Sequence, residues 1–489
     1  MHTETAANQP KDKILYIVHS IICLFFIFGF GKLPPFGTLE PLGMTILGIF
    51  LGMLYGWTFI GFIWPSIIGL VALGLSDYST VDALLKEGFS NTSITLFCLF
   101  LLVIARFLDQ IGLSRKIAYW FISQKINVGR PWVFTTMFLL AGVVLGATVS
   151  LFASIFLLWN IFYEICDILG YKKKEKYPVL VLIGVVYSSM LGYAIFPFKA
   201  LALMVLNQYS LTSGGLTIDF LDFTLLSFVV AMCCFALYIL VCRFVFKPDV
   251  TPLMGNVDYF AEHRNEKMTK EQWIGAIFLL TFMFAMFAPS ISFLKATFIG
   301  KFFASLGATG SAFLLIGILA MIKLDGKHIF DMQDCAKGIN WEVIIMFVAT
   351  MPVATALESD KAGVMHFITS LLAPVFDGMS PLLFTFAFIL IGGVLTQFAH
   401  NVVLAVVMTP IAYNFAVMVG ANPAILIILL AFALGIAVAT PGGSAMGALI
   451  YLNTEWIGTG NAYKYCFVVA GISLLVLLAV GVPLGNLIL

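Results

Sequence analysis

The sequence predicts an all-α polytopic membrane protein of about 11 transmembrane helices plus two re-entrant hairpins, arranged as an inverted repeat. Three observations carry this expectation. Of 489 residues 61% are hydrophobic and 10% charged, and many apolar runs reach the about 20 residues that cross roughly 30 Å of hydrocarbon. The chain also repeats itself at an offset of 250 residues, with Pro131, Phe134, Thr135 and Gly142 of one apolar segment matching Pro381, Phe384, Thr385 and Gly392 of another. Finally, the basic residues flank the two copies differently, which orients them oppositely.

Taken in order, a first span is expected near 14–31, with Lys11 and Lys13 before it and no small-residue cleavage site after it, so it reads as a span and not as a removed signal peptide. Further spans follow near 40–55, 57–75 and 94–111. The segment 131–163 has Arg115, Lys116, Lys125 and Arg130 on one flank and Lys172, Lys173, Lys174 and Lys176 on the other, so both ends face the cytoplasm and the segment is a hairpin. Its copy at 381–413 has only Lys361 before it and nothing basic between it and Pro423, which places both ends outside.

Between the hairpins five crossings, near 178–206, 223–246, 273–289, 302–322 and 341–358, supply the odd number that this inversion requires. Spans near 423–452 and 463–487 complete the chain. The N-terminus is then cytoplasmic and the C-terminus external. The charged stretch from Lys247 to Glu271 is the one long linker, giving a division into N-terminal scaffold spans (1–78), a first repeat half (79–246), a cytoplasmic linker (247–272) and a second half (273–489). Ser90 and Asn340, at corresponding positions, are expected to cap the helices that follow them.

A net charge of +1 and the absence of basic clusters beyond short loops argue against nucleic acid as a partner. The eight cysteines lack metal-ligand spacing and read as packing thiols. No His-Glu-x-x-His and no aspartate pair lies within a span, which weighs against an intramembrane protease or lipid transferase. Internal symmetry of two like halves points instead to a secondary transporter.

Chemistry is expected where the backbone stops being helical at membrane depth, since unpaired amides are tolerated there only around a cavity or ligand. In the second hairpin, Leu395-Thr-Gln-Phe-Ala-His-Asn-Val-Val403 gathers Thr396, Gln397, His400 and Asn401. The aligned first tip, Gly146-Ala-Thr-Val-Ser-Leu-Phe-Ala153, offers Thr148 and Ser150, with Leu151 opposite Asn401. Two further runs break near their middles, at Tyr193-Ala-Ile-Phe-Pro-Phe-Lys-Ala200 and at Ala439-Thr-Pro-Gly-Gly-Ser-Ala445.

Hairpin tips followed by broken helices, repeated upside down, resemble the divalent anion/sodium symporter family, which carries succinate, citrate, sulfate and relatives. That family has Ser-Asn-Thr at its tips and Thr-Pro-Pro-Asn-like unwound segments. This chain keeps Asn401 at one tip, Ser150 at the other, and Thr440, Pro441 and Pro197 in the breaks. The resemblance implies an elevator-type carrier of a small organic anion, a homodimer, with no cofactor and with sodium as coupling ion, in a membrane such as the bacterial plasma membrane.

It further implies substrate contacts from Asn401, His400, Ser150, Thr148, Lys199, Thr440 and Ser444, and ion contacts from Asn401, Gly442, Gly443 and Thr396. Leu151 and Phe152 strip the first tip of side-chain oxygens that a hard cation needs, so sodium is expected only at the second-half site. Lys199, costing about 2.5 to 3.5 kcal/mol at membrane depth, then stands in for the lost ion or pairs with the anion. These substitutions leave open a sodium-independent exchanger or a proton-coupled carrier. A cation/proton antiporter would demand an intramembrane carboxylate that the hairpins lack. Each residue also has a plainer use: Lys199 snorkelling to the headgroups, His400 satisfied within its hairpin, and Thr148 and Ser150 bonding back to the preceding turn.

Overall fold

The computed structural model describes residues 10–90, 94–255, 266–376 and 378–489. Among them, eleven helices are long and apolar enough to cross a membrane, thirteen if each of two bent pairs counts as one span. In the first part of the chain run α1 (Pro10–Leu24, continued by tighter and wider turns to Lys32), α2 (Pro41–Phe59), α3 (Ile63–Gly74), α4 (Val81–Ser90), α5 (Ile94–Gln110) and α6 (Leu113–Ile122). The first hairpin is α7 (Pro131–Thr148) and α8 (Leu151–Leu169), and the first broken helix is α9 (Lys176–Ile195) with α10 (Ala200–Thr212). Then come α11 (Phe220–Leu240, extended to Phe246), α12 (Lys270–Phe287), α13 (Phe298–Met321), α14 (Trp341–Glu358) and α15 (Val364–Phe376). The second hairpin is α16 (Pro381–Leu395) and α17 (Asn401–Val419), the second broken helix α18 (Pro423–Gly435) with α19 (Ala445–Leu452), and α20 (Thr459–Val476) and α21 (Val482–Ile488) end the chain.

Both hairpins and both breaks thus stand where the sequence places them. Three features differ. The span expected at 57–75 is the 12-residue α3, about 18 Å long and too short to cross alone, because α2 continues to Phe59. The amphipathic helices α6 and α15 are concealed in the sequence by their polar faces: α6 turns 60° from α5, and α15 lies 113° from α16. A two-residue antiparallel strand pair, Lys323–Leu324 with Lys327–His328, interrupts the helical pattern. Asn340 caps α14 as expected, its Oδ1 accepting the Glu342 amide at 3.1 Å. Ser90 closes α4, while Asn91 and Thr92 lie outside the described residues.

The repeat is geometric as well as textual. Pro131 and Pro381 each open the first arm of their hairpins, where a missing N–H costs nothing. Gly170 and Gly420, 250 residues apart, end the second arms in the left-handed region at φ 73°. Tyr163 of α8 stacks on Trp456, just beyond α19, with centroids 5.0 Å apart, and accepts a 2.8 Å hydrogen bond from Asn453. Its mate 250 residues on, Tyr413 of α17, meets Tyr209 of α10 edge-on at 5.7 Å. Each hairpin therefore closes on the outer end of the other half's broken helix.

Packing sorts the helices into two groups. One gathers α2, α3, α4 and α5 around α14. The other holds the hairpins against the broken helices, with α7 and α8 on α9, α10 on α17, and α16 and α17 on α18. The α7–α9 seam is the tightest: a Cβ at Gly146 would stand 2.0 Å from the Ser189 carbonyl oxygen, and one at Gly192 would stand 1.9 Å from that of Val143. Such backbone-to-backbone contact lets α7 of the first hairpin pack closely on α9 of the first broken helix.

Candidate functional site

Where the hairpin tips meet the breaks, the structure has a cavity of about 510 Å³, within the usual range for a small-molecule site. Of the residues expected to bind substrate, Thr148, Ser150, Lys199, His400, Asn401 and Ser444 all line it. The first hairpin supplies 148–152, the first break Lys199, the second hairpin 400–402 and the second break 444–446. Residues far apart in sequence converge because each non-helical segment sits at mid-run of its own helix pair.

Four of these residues occupy one structural role. Ser150, Lys199, His400 and Ser444 are the N-cap residues of α8, α10, α17 and α19, so four helix N-termini open toward one cavity. The unpaired first-turn amides and the positive ends of the helix dipoles favour negative charge at such a point.

The caps are used unequally. Ser444 accepts the Gly447 amide at 3.0 Å and donates to the Ala437 carbonyl at 2.6 Å, bracing the unwound segment. His400 accepts the Val402 amide through Nδ1 at 3.3 Å, which leaves Nε2 to carry the proton of a neutral ring and to donate. Its ring also meets Phe62 edge-on at 5.2 Å. Asn401 spends its Oδ1 on the same amide at 2.9 Å, and among the described residues its Nδ2 has no partner. Ser150 makes no capping bond with its side chain. Thr148 bonds back to the Val144 carbonyl at 2.7 Å, the plainer use noted for it, while still lining the cavity.

Lys199 lines the cavity. Its Nζ lies 3.4 Å from the Val149 carbonyl oxygen at the first tip and 5.6 Å from the centre of the Tyr193 ring. Leu151 and Phe152 share the cavity wall with it, so the first half presents a cation and apolar carbon where the second presents amide and imidazole.

The remaining expected residues, Thr396, Thr440, Gly442 and Gly443, lie behind this wall and join the second tip to the second break. Thr440 donates its hydroxyl to the Gln397 carbonyl, Asn401 donates its amide to the Gly443 carbonyl at 3.0 Å, and the buried Thr396 hydroxyl reaches the Leu434 carbonyl at 3.5 Å. Carbonyl oxygens of Thr396 and Gln397 would stand 2.6 and 3.1 Å from a Cβ at Gly443, and that of Phe398 would stand 3.2 Å from one at Gly442. Three such oxygens around a two-glycine turn are hard donors of the kind sodium takes. Groups of three or more His, Cys, Asp or Glu suited to a transition metal are absent among the described residues.

Two residues gain roles that the sequence does not assign. Gln397 reads in the sequence only as one member of a polar tip. Its Oε1 accepts the Val438 and Ala439 amides at 3.1 and 3.0 Å, and its Nε2 donates to the Gly393 and Ile436 carbonyls at 3.1 and 3.0 Å. It thereby satisfies backbone that the break frees. Glu342, in the first turn of α14, also lines the cavity; a charge at a span start reads from sequence as an ordinary solvated end.

Comparison with known proteins places the chain among transporters. Residues 51–359 match the family described as "Citrate transporter". An uncharacterized transporter of Escherichia coli (strain K12), YfbS, is 28% identical over 155 residues, 32% of this chain, and one of Synechocystis is 28% identical over 147 residues, 30% of this chain. The matched stretches span only 24% and 23% of those two relatives' lengths. The YdaH transporter of Alcanivorax borkumensis, whose crystal structure reveals an unusual topology, superposes with a TM-score of 0.57 at 13% identity, covering 97% of this chain and 98% of that one. At that identity the likeness concerns the fold. Names of transporters throughout fit a carrier embedded in a membrane and do not fit an enzyme.

Proposed function

Since the chain belongs to the citrate transporter family, we propose that it is a secondary active transporter that moves a small organic anion, a di- or tricarboxylate such as citrate, across a membrane. The observation that carries the anion is the convergence of four helix N-termini and the Lys199 ammonium on one cavity. Asn401 Nδ2 and His400 Nε2 donate to the carboxylates from one side, and Ser150 from the other. Lys199 balances their charge.

The coupling cation binds at the second half alone, among the carbonyls of Thr396, Gln397 and Phe398. Lys199 takes the place of a second cation at the first tip. The hairpins and broken helices travel as one body against the group around α14, in an elevator movement, and two chains work as a homodimer in a bacterial plasma membrane. The division of packing into two groups supports the moving body, and the bacterial relatives support the location.

The test is uptake of labelled succinate, citrate, sulfate and lactate by proteoliposomes holding the full chain, with and without sodium and a pH gradient. Saturable uptake of a di- or tricarboxylate is expected. Full activity in sodium-free buffer removes the sodium site, and failure of every anion removes the anion carrier.

A further inference from the structure

The cavity has two walls of different origin. Lys199 opens α10 on the wall formed by the hairpins and breaks, and Glu342 lies in the first turn of α14 on the wall formed by the other packed group. Among the described residues that line the cavity, these two are the only lysine, arginine, aspartate or glutamate.

The seam between α10 and α14 sets them at one level. Asn207 of α10 bonds to Met351 of α14, and farther along Thr212 of α10 bonds to Glu358, so the two helices run side by side in the same direction. Counted back from the first of these contacts, Lys199 lies eight residues away and Glu342 nine. At about 1.5 Å per residue, the two distances along the seam differ by only about 1.5 Å. Met204 and Met346, on the intervening turns, line the same cavity.

Other demands around Glu342 are already met. Helix α14 has its cap, since Asn340 Oδ1 accepts the Glu342 amide at 3.1 Å. Lys337, five residues before Glu342, is paired with Asp334. Arg106, whose side chain packs on Gly338, is paired with Asp109. Among the described residues neither Glu342 nor Lys199 has an ion pair within 4 Å. Glu342 is exposed and the lysine ammonium rides on a flexible four-carbon stem, so both can swing. A carboxylate at a cavity that takes anions repels the solute, and that cost calls for a return.

We propose that Glu342 is an internal competitor for the anion: in the empty cavity its carboxylate pairs with the Lys199 ammonium across the boundary between the two packed groups, and an entering carboxylate displaces it. This rests on the anion-carrier reading above. Glu342 offers Lys199 the same chemical group as the solute, so it limits how tightly the solute is held and eases its release. The structure shows Lys199 turned to the Val149 carbonyl, the arrangement in which the ammonium is open to a solute. Helices packed side by side stand about 8 to 10 Å apart, where two unit charges at an effective dielectric constant of about 20 interact strongly enough to change affinity roughly tenfold.

Two measurements on the full-length protein decide it. With no anion present, a carbodiimide, which joins an amine directly to a carboxylate, is expected to link Lys199 to Glu342. Mass spectrometry reads the cross-linked peptide, which Glu342→Gln lacks. In proteoliposomes, Glu342→Gln is expected to lower KM roughly tenfold for whichever of citrate and succinate the wild type takes up, while Glu342→Asp, which keeps the charge, stays nearer to wild type. A residue that merely supports α14 gives the opposite sign, since its loss weakens the site. Absence of the cross-link from wild type, or KM of Glu342→Gln equal to or above wild type, overturns the proposal and leaves the anion carrier standing. Failure of the wild type to take up any anion removes both.

Discussion

The Lys199 ammonium stands 3.4 Å from the carbonyl oxygen of Val149, so the cation that opens α10 is held by the tip of the first hairpin. In the second half the same station is filled by Ser444, which caps its helix and bears no charge. A lysine at the positive end of a helix is unfavourable by itself, and an anion in the cavity relieves it.

Lys199→Met is therefore expected to raise KM for the anion or abolish its uptake. Loss of a hydrogen bond to a charged group, worth about 1.5 to 3 kcal/mol, corresponds to roughly a 10- to 100-fold loss of affinity. Initial-rate uptake against substrate concentration reads this out. Kinetics equal to wild type would show that the charge has no part in recognition.

His400 separates capping from recognition. Replacement by Asn, a good N-cap, should leave thermal stability in detergent near wild type while weakening anion uptake. Replacement by Ala should lower both, with a stability loss of about 1 kcal/mol. Equal uptake by the Asn variant and wild type would confine His400 to its cap.

Gln397→Leu keeps the volume but strands two amides and one carbonyl in the second break. At about 1 to 3 kcal/mol for each buried unpaired group, the variant should unfold well below wild type in a thermal melt. An unchanged melt would mean that the freed backbone finds other partners.

Asn207 and Met351 touch across the two packed groups. A double substitution to Cys at these positions, oxidised to a disulfide, is expected to stop uptake, and reduction to restore it. Transport that continues through the disulfide is incompatible with one group sliding on the other.

The hairpins and breaks are legible in the sequence because polar residues and glycines are costly inside an apolar run unless the helix stops there. Thr396 to Asn401 and Thr440 to Ser444 announce themselves against leucine and valine. Helices α6 and α15 are not legible, because an amphipathic helix shorter than a span looks like a loop to a hydropathy reading. The roles within the site are partly concealed for a different reason. Nothing in the string Thr396-Gln-Phe398 says that the glutamine serves backbone 40 residues away while the threonine turns from the cavity. Such assignments depend on which carbonyls a break sets free, and that is decided by tertiary packing.

The exchanged closure of the two halves bears on how the protein is made. Tyr163 finds Trp456 and Asn453 only after almost 300 further residues have been synthesised, and the neighbouring Lys173 and Lys174 wait for Glu455 and Trp456 in the same way. Until then the first hairpin lacks the contacts that close its outer end. A chain that stops before residue 453 holds both hairpins and both breaks and still lacks the partners of Tyr163.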